Sequence, residues 1–248
     1  MIEKAAEIIQ NANHVTAFTG AGISVESGIP PFRGENGLWN KYNPRILDIS
    51  YFKSNPEDSW RLIKEIFYDF FGKAEPNRAH TGLAEMENKG YIDAIITQNI
   101  DNLHQEAGSS EVYEFHGNSR ELVCTNCSNR TKATEIDLEQ LPPRCEQCDN
   151  VYKPDFIFFG EAIPEPARTR SFQEAEIADV FLVIGSTGEV VPASQIPFIA
   201  KRNGATIIEI NTNHSNFTRE ITDVFLQGKA SQMVDRLLEQ LNQNRYKE

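Results

Sequence analysis

The sequence predicts an α/β protein built on a doubly wound parallel sheet, interrupted by a smaller helical and cysteine-bearing part. Three observations lead there. Six short apolar runs, at 15–18, 94–97, 112–115, 180–184, 206–210 and 224–226, recur with helical patterns between them, the alternation of a parallel sheet covered on both faces. Each run is followed by glycine, amide, hydroxyl or imidazole groups, and in open α/β sheets ligands bind beyond the carboxyl ends of the strands. Two long stretches break the alternation: 35–75 is rich in aromatic residues, and 117–155 carries all four cysteines.

Size and composition bound the reading. A chain of 248 residues holds one sizeable core with a smaller appended lobe. Hydrophobic residues make up 40% and charged residues 24%, which suits a globular protein. No run approaches the roughly 18 apolar residues of a membrane span, so no membrane partner is expected. The net charge of −12, with no Lys/Arg cluster, argues against a nucleic-acid partner. An acidic surface instead suits basic partners such as lysine-bearing protein segments.

Taken in order, the first twelve residues repeat Ile2, Ala5, Ile8 or Ile9, and Ala12, and carry acids. That is an amphipathic helix and not a signal peptide, so the expected compartment is the cytoplasm. The strand at 15–18 leads into GAGISVESGIPPFRG, Gly20 to Gly34. Gly20 and Gly22 free the backbone to turn sharply, so that amides opening a helix over 23–27 face an anion. Gly28 ends that helix before Pro30 and Pro31. The spacing is not the ordinary dinucleotide fingerprint. Val25 stands where the third glycine belongs, and no acidic residue closes a second strand about 20 residues on. From the glycines alone, a phosphate cradle and a tight structural turn are both open.

The 35–75 stretch reads as a flexible loop followed by a helical segment. Gln98, Asn99, Ile100 and Asp101 follow the second strand, and His116 and Gly117 the third. Gly185, Ser186 and Thr187 follow the fourth, Asn211 the fifth, and Gly228, Lys229 and Ala230 the sixth. Together they describe one long polar crevice that a dinucleotide would fill. Helices are expected over 192–203, closed by Gly204, and over 231–243, with Met233, Leu237, Leu238 and Leu241 on one face.

Cys124-x-x-Cys127 and Cys145-x-x-Cys148 are separated by seventeen residues. Each pair forms a knuckle, so four thiolates converge tetrahedrally on zinc. Disulfides are the alternative, and the lack of a secretory signal disfavours them. A four-cysteine site is coordinatively closed, so one zinc there is structural.

Among five histidines, His116 is best placed for proton transfer, ending a strand before a glycine that would let a ligand approach. His80 and His104 read as packing residues, His14 and His214 as exposed. Asp101 also has a structural reading, as N-cap of a short helix over 102–107 closed by Gly108. Asn99 offers a donor and an acceptor for a ribose hydroxyl or a water. No Ser/His/Asp set or paired carboxylates support hydrolysis by those routes.

As a set, GAGISVESGIPPFRG, TQNIDNLH, FHG, the two CxxC pairs, FFGE, the GST loop and the strand ending at Asn211 resemble the sirtuins, NAD-dependent protein-lysine deacylases. The resemblance runs from about residue 4 to 240 in the family's order. It implies a Rossmann-like NAD-binding unit (1–34, 76–116, 156–248), a cofactor loop and helical module (35–75) and a zinc ribbon (117–155). NAD⁺ and acyl-lysine would meet in the cleft between them. Carried over, Gly20, Ala21 and Gly22 line the phosphate site, with Phe32 and Arg33 near the nicotinamide ribose. Gln98 opens the next loop, Asn99 holds a ribose or water, and Ile100 and Asp101 receive the nicotinamide carboxamide. His116 is the general base. Gly185, Ser186, Thr187, Asn211 and Ala230 surround phosphate and adenosine. Ile157 and Phe159 match the walls of the acyl-lysine tunnel. Gly160, Glu161, Val190 and Val191 match the strands that clamp the peptide. The implied products are nicotinamide, free lysine and O-acyl-ADP-ribose, with NAD⁺ consumed as co-substrate and a monomer expected.

Three departures from the family pattern carry expectations. Pro31 removes an amide donor from the cofactor loop and stiffens it. Gly188-Glu189 puts a carboxylate beside the peptide clamp, which either favours basic residues flanking the target lysine or is a solvated loop tip. Ile63 and Ile66, counted from Trp60, stand where sirtuins that remove acidic acyl groups carry Tyr and Arg. Acetyl and neutral acyl groups are therefore the expected substrates, since a buried succinyl carboxylate would lack a cation. The alternatives are a mono-ADP-ribosyltransferase on the same fold, an NAD-dependent oxidoreductase, which the missing third glycine disfavours, and a non-catalytic zinc-ribbon module.

Overall fold

The computed structural model describes residues 1–33 and 37–245. Gly34, which closes the glycine-rich stretch, Glu35 and Asn36, which open the helical module, and residues 246–248 lie outside the described residues. The chain begins with α1 (Ile2–Gln10), β1 (Val15–Thr19) and two 3₁₀ turns (Ala21–Ile23, Val25–Ser27). The first insertion follows, with α2 (Ile49–Ser54), α3 (Pro56–Ile63) and a π-helical segment (Lys64–Phe70). Next come α4 (Arg78–Asn88), β2 (Ala94–Thr97), α5 (Leu103–Glu106) and β3 (Val112–Glu114). The cysteine-bearing part supplies β4 (Gly117–Cys124), β5 (Arg130–Lys132) and β6 (Tyr152–Phe156). The chain ends with α6 (Ala167–Ile177), β7 (Val180–Ile184), α7 (Gln195–Arg202), β8 (Thr206–Asn211), α8 (Asn216–Glu220), β9 (Val224–Gln227) and α9 (Ala230–Arg245).

The six predicted strands form one sheet in the order β3-β2-β1-β7-β8-β9, every pairing parallel. Counted within this sheet alone, that is the 3-2-1-4-5-6 order of a Rossmann-like fold. The period-2 geometry of a strand explains why β7 is apolar throughout. Val180, Leu182 and Ile184 join one core with α1, α4 and α9. Phe181 and Val183 join the other with α6, α7 and Phe217 of α8. Strand order reverses between β1 and β7, so a crevice opens there beyond their carboxyl ends.

The two insertions share a third core. Phe52, Trp60, Ile63, Ile66 and Phe67 from the helical part pack with Leu122, Cys124, Cys145, Tyr152 and Phe156 from the cysteine-bearing part. The Trp60 indole N–H donates to the Tyr152 carbonyl at 2.7 Å. The 117–155 stretch, which breaks the strand–helix alternation in the sequence, supplies most of an antiparallel sheet, β5-β4-β6. β5 has only three residues and β6 contains Pro154, so propensity hides it. No helix among the described residues is long and apolar enough to cross a membrane.

Candidate active site

The crevice is built where β1 and β7 end. A side chain at Gly22 would put Cβ 2.6 Å from the Gly185 Cα, so this approach admits only glycine. The local structure differs from the expected helix over 23–27, since two 3₁₀ turns replace it and Gly28 closes the second in the left-handed region. The Gly20 N–H bonds to the Ile184 carbonyl and the Gly22 N–H to that of Gly185. Both glycine amides thus join strand ends together, and the helix whose first amides were expected to face an anion is replaced by the 3₁₀ turns. What the glycines build is a close-packed floor for the crevice.

Side chains knit the strand ends across the sheet. Gln98 Nε2 donates to Ser186 Oγ at 3.0 Å, and Asn211 Nδ2 to the Ser186 carbonyl at 3.1 Å. The Thr187 carbonyl accepts the Asn216 N–H. Ala230 opens α9, and the next amide, Ser231 N–H, is capped by Glu26 from the second 3₁₀ turn at 3.0 Å. Phe32 packs against the helical insertion, with its ring 5.4 Å from Trp39 and 6.4 Å from Phe67. Arg33 is exposed. The Pro31 and Phe32 carbonyls accept the Leu38 and Trp39 amides, which answers where the loop's bonding goes despite Pro31.

His116 follows β3 with Nδ1 3.0 Å from the Gln98 carbonyl. A carbonyl only accepts, so Nδ1 carries the proton and Nε2 is the free base. Burial lowers the imidazole pKa, and the Gln98 bond opposes this only in part. Gly117 is required by the backbone itself. Its φ is +75°, and a Cβ there would lie 2.1 Å from the Asp155 carbonyl oxygen. The glycine lets β4 turn closely against β6.

Behind the crevice lies a buried polar chain that the sequence reading did not find. Asp101 Oδ2 accepts the Ser24 hydroxyl at 2.6 Å, and Oδ1 accepts the Leu103 N–H at 3.1 Å. Asp101 does bond the first turn of α5, although the N-cap position is Asn102, at φ +68°. Burial raises the Asp101 pKa, and its hydrogen bonds, that from Ser24 first, oppose this. Asn99 Nδ2 donates to the Gly20 carbonyl and to Ser24 Oγ, both at 3.2 Å. Ser24 also meets His80 Nε2 at 3.4 Å. The His80 and His104 rings touch at 5.1 Å, and His104 Nε2 lies 2.9 Å from Thr19 Oγ1. Both histidines are fully buried, as packing residues would be. Burial lowers His80 to about 4, and burial with the His80 charge lowers His104 to about 3. A cavity of about 80 Å³ adjoins Asp101, lined by Phe67, Phe71, Ile100, Asn102 and Ser119 among others. His214 is exposed as expected. His14 is not: it lies half-buried, with Nε2 2.6 Å from Glu174 at the opposite end of the sheet.

Residues 157–161, which follow β6, lie beside His116. The Ile157 N–H bonds to the His116 carbonyl at 2.8 Å. Phe159 is 47% exposed and Val191 68%, apolar groups presented at the rim. Gly160 is exposed, while Glu161 and Val190 are half-buried. Among the described residues no hydrogen bond joins 157–161 to Val190 or Val191.

The four cysteines come together in one cluster. Their sulfurs lie within 4.8 Å of one another, with Cys124–Cys148, Cys127–Cys145 and Cys127–Cys148 separations of 3.5, 3.6 and 3.5 Å. Four sulfurs about 2.3 Å from one zinc stand about 3.8 Å apart, so the cluster fits a structural zinc.

A glycine-lined cleft at the switch point of a parallel sheet, flanked by a cysteine-anchored lobe, places the chain among dinucleotide-binding α/β proteins. The chain belongs to the Sir2 family, whose family model matches residues 20–192. It is 44% identical over 247 residues to an NAD-dependent protein deacylase of Pyrococcus furiosus, covering 97% of this chain and 98% of that one. Its structure is similar to a mutant Sir2 homologue in complex with ADP ribose (TM-score 0.95, 37% identity, 100% of this chain and 99% of the other). It is also similar to a Sir2 bound to a p53 peptide and NAD⁺ (TM-score 0.90, 34% identity, 96% and 98%).

Proposed function

We propose that the chain is an NAD⁺-dependent protein-lysine deacylase, a transferase that moves acetyl and other neutral acyl groups from lysine to ADP-ribose. The observation that carries this reading is the orientation of His116: Nδ1 is committed to the Gln98 carbonyl, leaving a neutral Nε2 to accept a proton. Bound NAD⁺ supplies an electrophilic ribose carbon with nicotinamide as leaving group. In this reading Gly20, Ala21, Gly22, Gly185, Ser186 and Thr187 surround the phosphates, and Asn211 and Ala230 the adenosine. Phe32 and Arg33 cover the nicotinamide ribose, Gln98 and Asn99 orient a ribose hydroxyl or water, and Ile100 and Asp101 hold the carboxamide. Ile157 and Phe159 flank the acyl-lysine, and Gly160, Glu161, Val190 and Val191 clamp its backbone.

Acyl preference follows from Ile63 and Ile66, both buried in the third core. They offer no cation to an acidic acyl group. The division into a Rossmann-like unit and two inserted modules belongs to the same proposal, and the core shared by the modules supports treating them as one lobe. A monomeric state and a cytoplasmic compartment belong to the same proposal. The net charge of −12 supports protein, not nucleic acid, as partner. The test is to incubate one peptide in acetyl-lysine and succinyl-lysine forms with NAD⁺ and follow nicotinamide release and peptide mass. Nicotinamide and deacetylated peptide should form in equal amounts, with desuccinylation at least about 100-fold slower. Label from NAD⁺ fixed to protein, or faster desuccinylation, would contradict the reading.

A further inference from the structure

Lys153 is a buried lysine that the reaction does not use. It lies on β6 with its side chain 7% exposed, and Nζ reaches Glu161 Oε2 at 3.0 Å. Nζ also donates to the carbonyls of Pro154 at 2.8 Å and Phe156 at 2.6 Å. An ammonium has three N–H donors, so all three are engaged. The Phe158 ring lies 4.4 Å from Nζ, adding a cation–π contact. Glu161 closes the circle, since its Oε2 accepts the Phe158 N–H at 2.8 Å, and its own N–H bonds to the Phe158 carbonyl at 3.0 Å.

Lys153 therefore fills the inside of the loop that leaves β6 at Phe156 and turns back at Glu161. The outside of that loop is the site. Ile157 is tied to the His116 carbonyl, and Phe159 bonds through its N–H and carbonyl to Leu47 and Ile49. A buried ion pair is a poor source of stability compared with apolar packing, but its directional bonds fix geometry. We propose that Lys153 and Glu161 form an internal latch that holds the 157–161 loop against His116 and so sets how tightly acyl-lysine peptide is held. This rests on reading that loop as the acyl-lysine wall. Lys153 is a positioning residue here, and the Glu161 carboxylate faces inward to it, not toward the peptide.

The test uses Lys153→Met, Glu161→Gln and the double variant. Lys153→Met should raise peptide KM at least tenfold while NAD⁺ KM stays within twofold. Glu161→Gln, which keeps an acceptor for the Phe158 amide, should have a smaller effect in the same direction. The double variant should be no worse than Lys153→Met alone. Hydrogen exchange at amides 157–161 should quicken at least tenfold, with 180–184 unchanged. A rise in both KM values together, or unchanged exchange at 157–161, would overturn the latch. A parent protein that removes no acyl group would instead refute the deacylase reading, and the exchange result still decides the latch. If Lys153→Met does not fold, Glu161→Gln carries both measurements.

Discussion

His116 Nδ1 and the Gln98 carbonyl oxygen are 3.0 Å apart, joining the candidate base to the loop after the neighbouring strand. This bond fixes the tautomer that leaves Nε2 unprotonated. Burial lowers the imidazole pKa, so the base stays neutral further into acid than an ordinary histidine with pKa 6.5. The acid limb of the kcat/KM profile should have its midpoint below pH 6.5. A midpoint at or above 7 would show that the ring is stabilised as a cation.

The His80–His104 pair makes a second pH prediction. Their pKa values are lowered from 6.5 to about 4 and about 3, so below pH 6.5 the unfolded chain binds more protons than the folded one. The stability they contribute is full above 6.5 and is lost as pH falls toward those values, about 2 kcal/mol for each by pH 5. The raised Asp101 pKa acts in the opposite sense over the carboxylate range. The melting temperature should fall from pH 7 to pH 5, while the ring protons of both histidines show no titration shift by NMR. A titration of either ring above pH 6 would contradict this.

Gly22→Ala should be poorly tolerated. The new Cβ would lie 2.6 Å from the Gly185 Cα and 2.8 Å from its carbonyl oxygen, and neither is a flexible side chain. Forcing β1 and β7 apart should cost about 1–3 kcal/mol and weaken ADP-ribose binding at least tenfold, measured by calorimetry. Unchanged affinity would mean that this floor does not shape the nucleotide site.

Zinc removal tests the cysteine cluster. Metal analysis should find one zinc per chain. Because Cys124 and Cys145 are buried in the third core, chelation should lower the melting temperature by about 10 °C or more, as loss of a few kcal/mol implies. Full stability after complete chelation would make the four thiols a coincidence of packing.

Much of this architecture was readable beforehand, for identifiable reasons. Strands covered on both faces, such as VFLVI at β7, leave a continuous apolar run, and the polar residues after them mark the crevice. The cysteine spacing was equally direct. By contrast, β6 reads YKPDF, and its proline, lysine and aspartate conceal a strand whose place is set by pairing with β4. Ser24 gave no signal, because its partner Asp101 is 77 positions away and only folding brings them together. The expected helix after β1 failed because the close Gly22–Gly185 approach and the Gly22 amide bond to the Gly185 carbonyl, just beyond β7, override local propensity.

The most direct test is mass spectrometry of an acetyl-lysine peptide with the parent protein and with His116→Ala, each with and without NAD⁺. The acetyl group should be lost only with NAD⁺ and only with the parent protein, with His116→Ala at least about 1,000-fold slower. Equal deacetylation by His116→Ala, or deacetylation without NAD⁺, would contradict the assignment of His116 as the base.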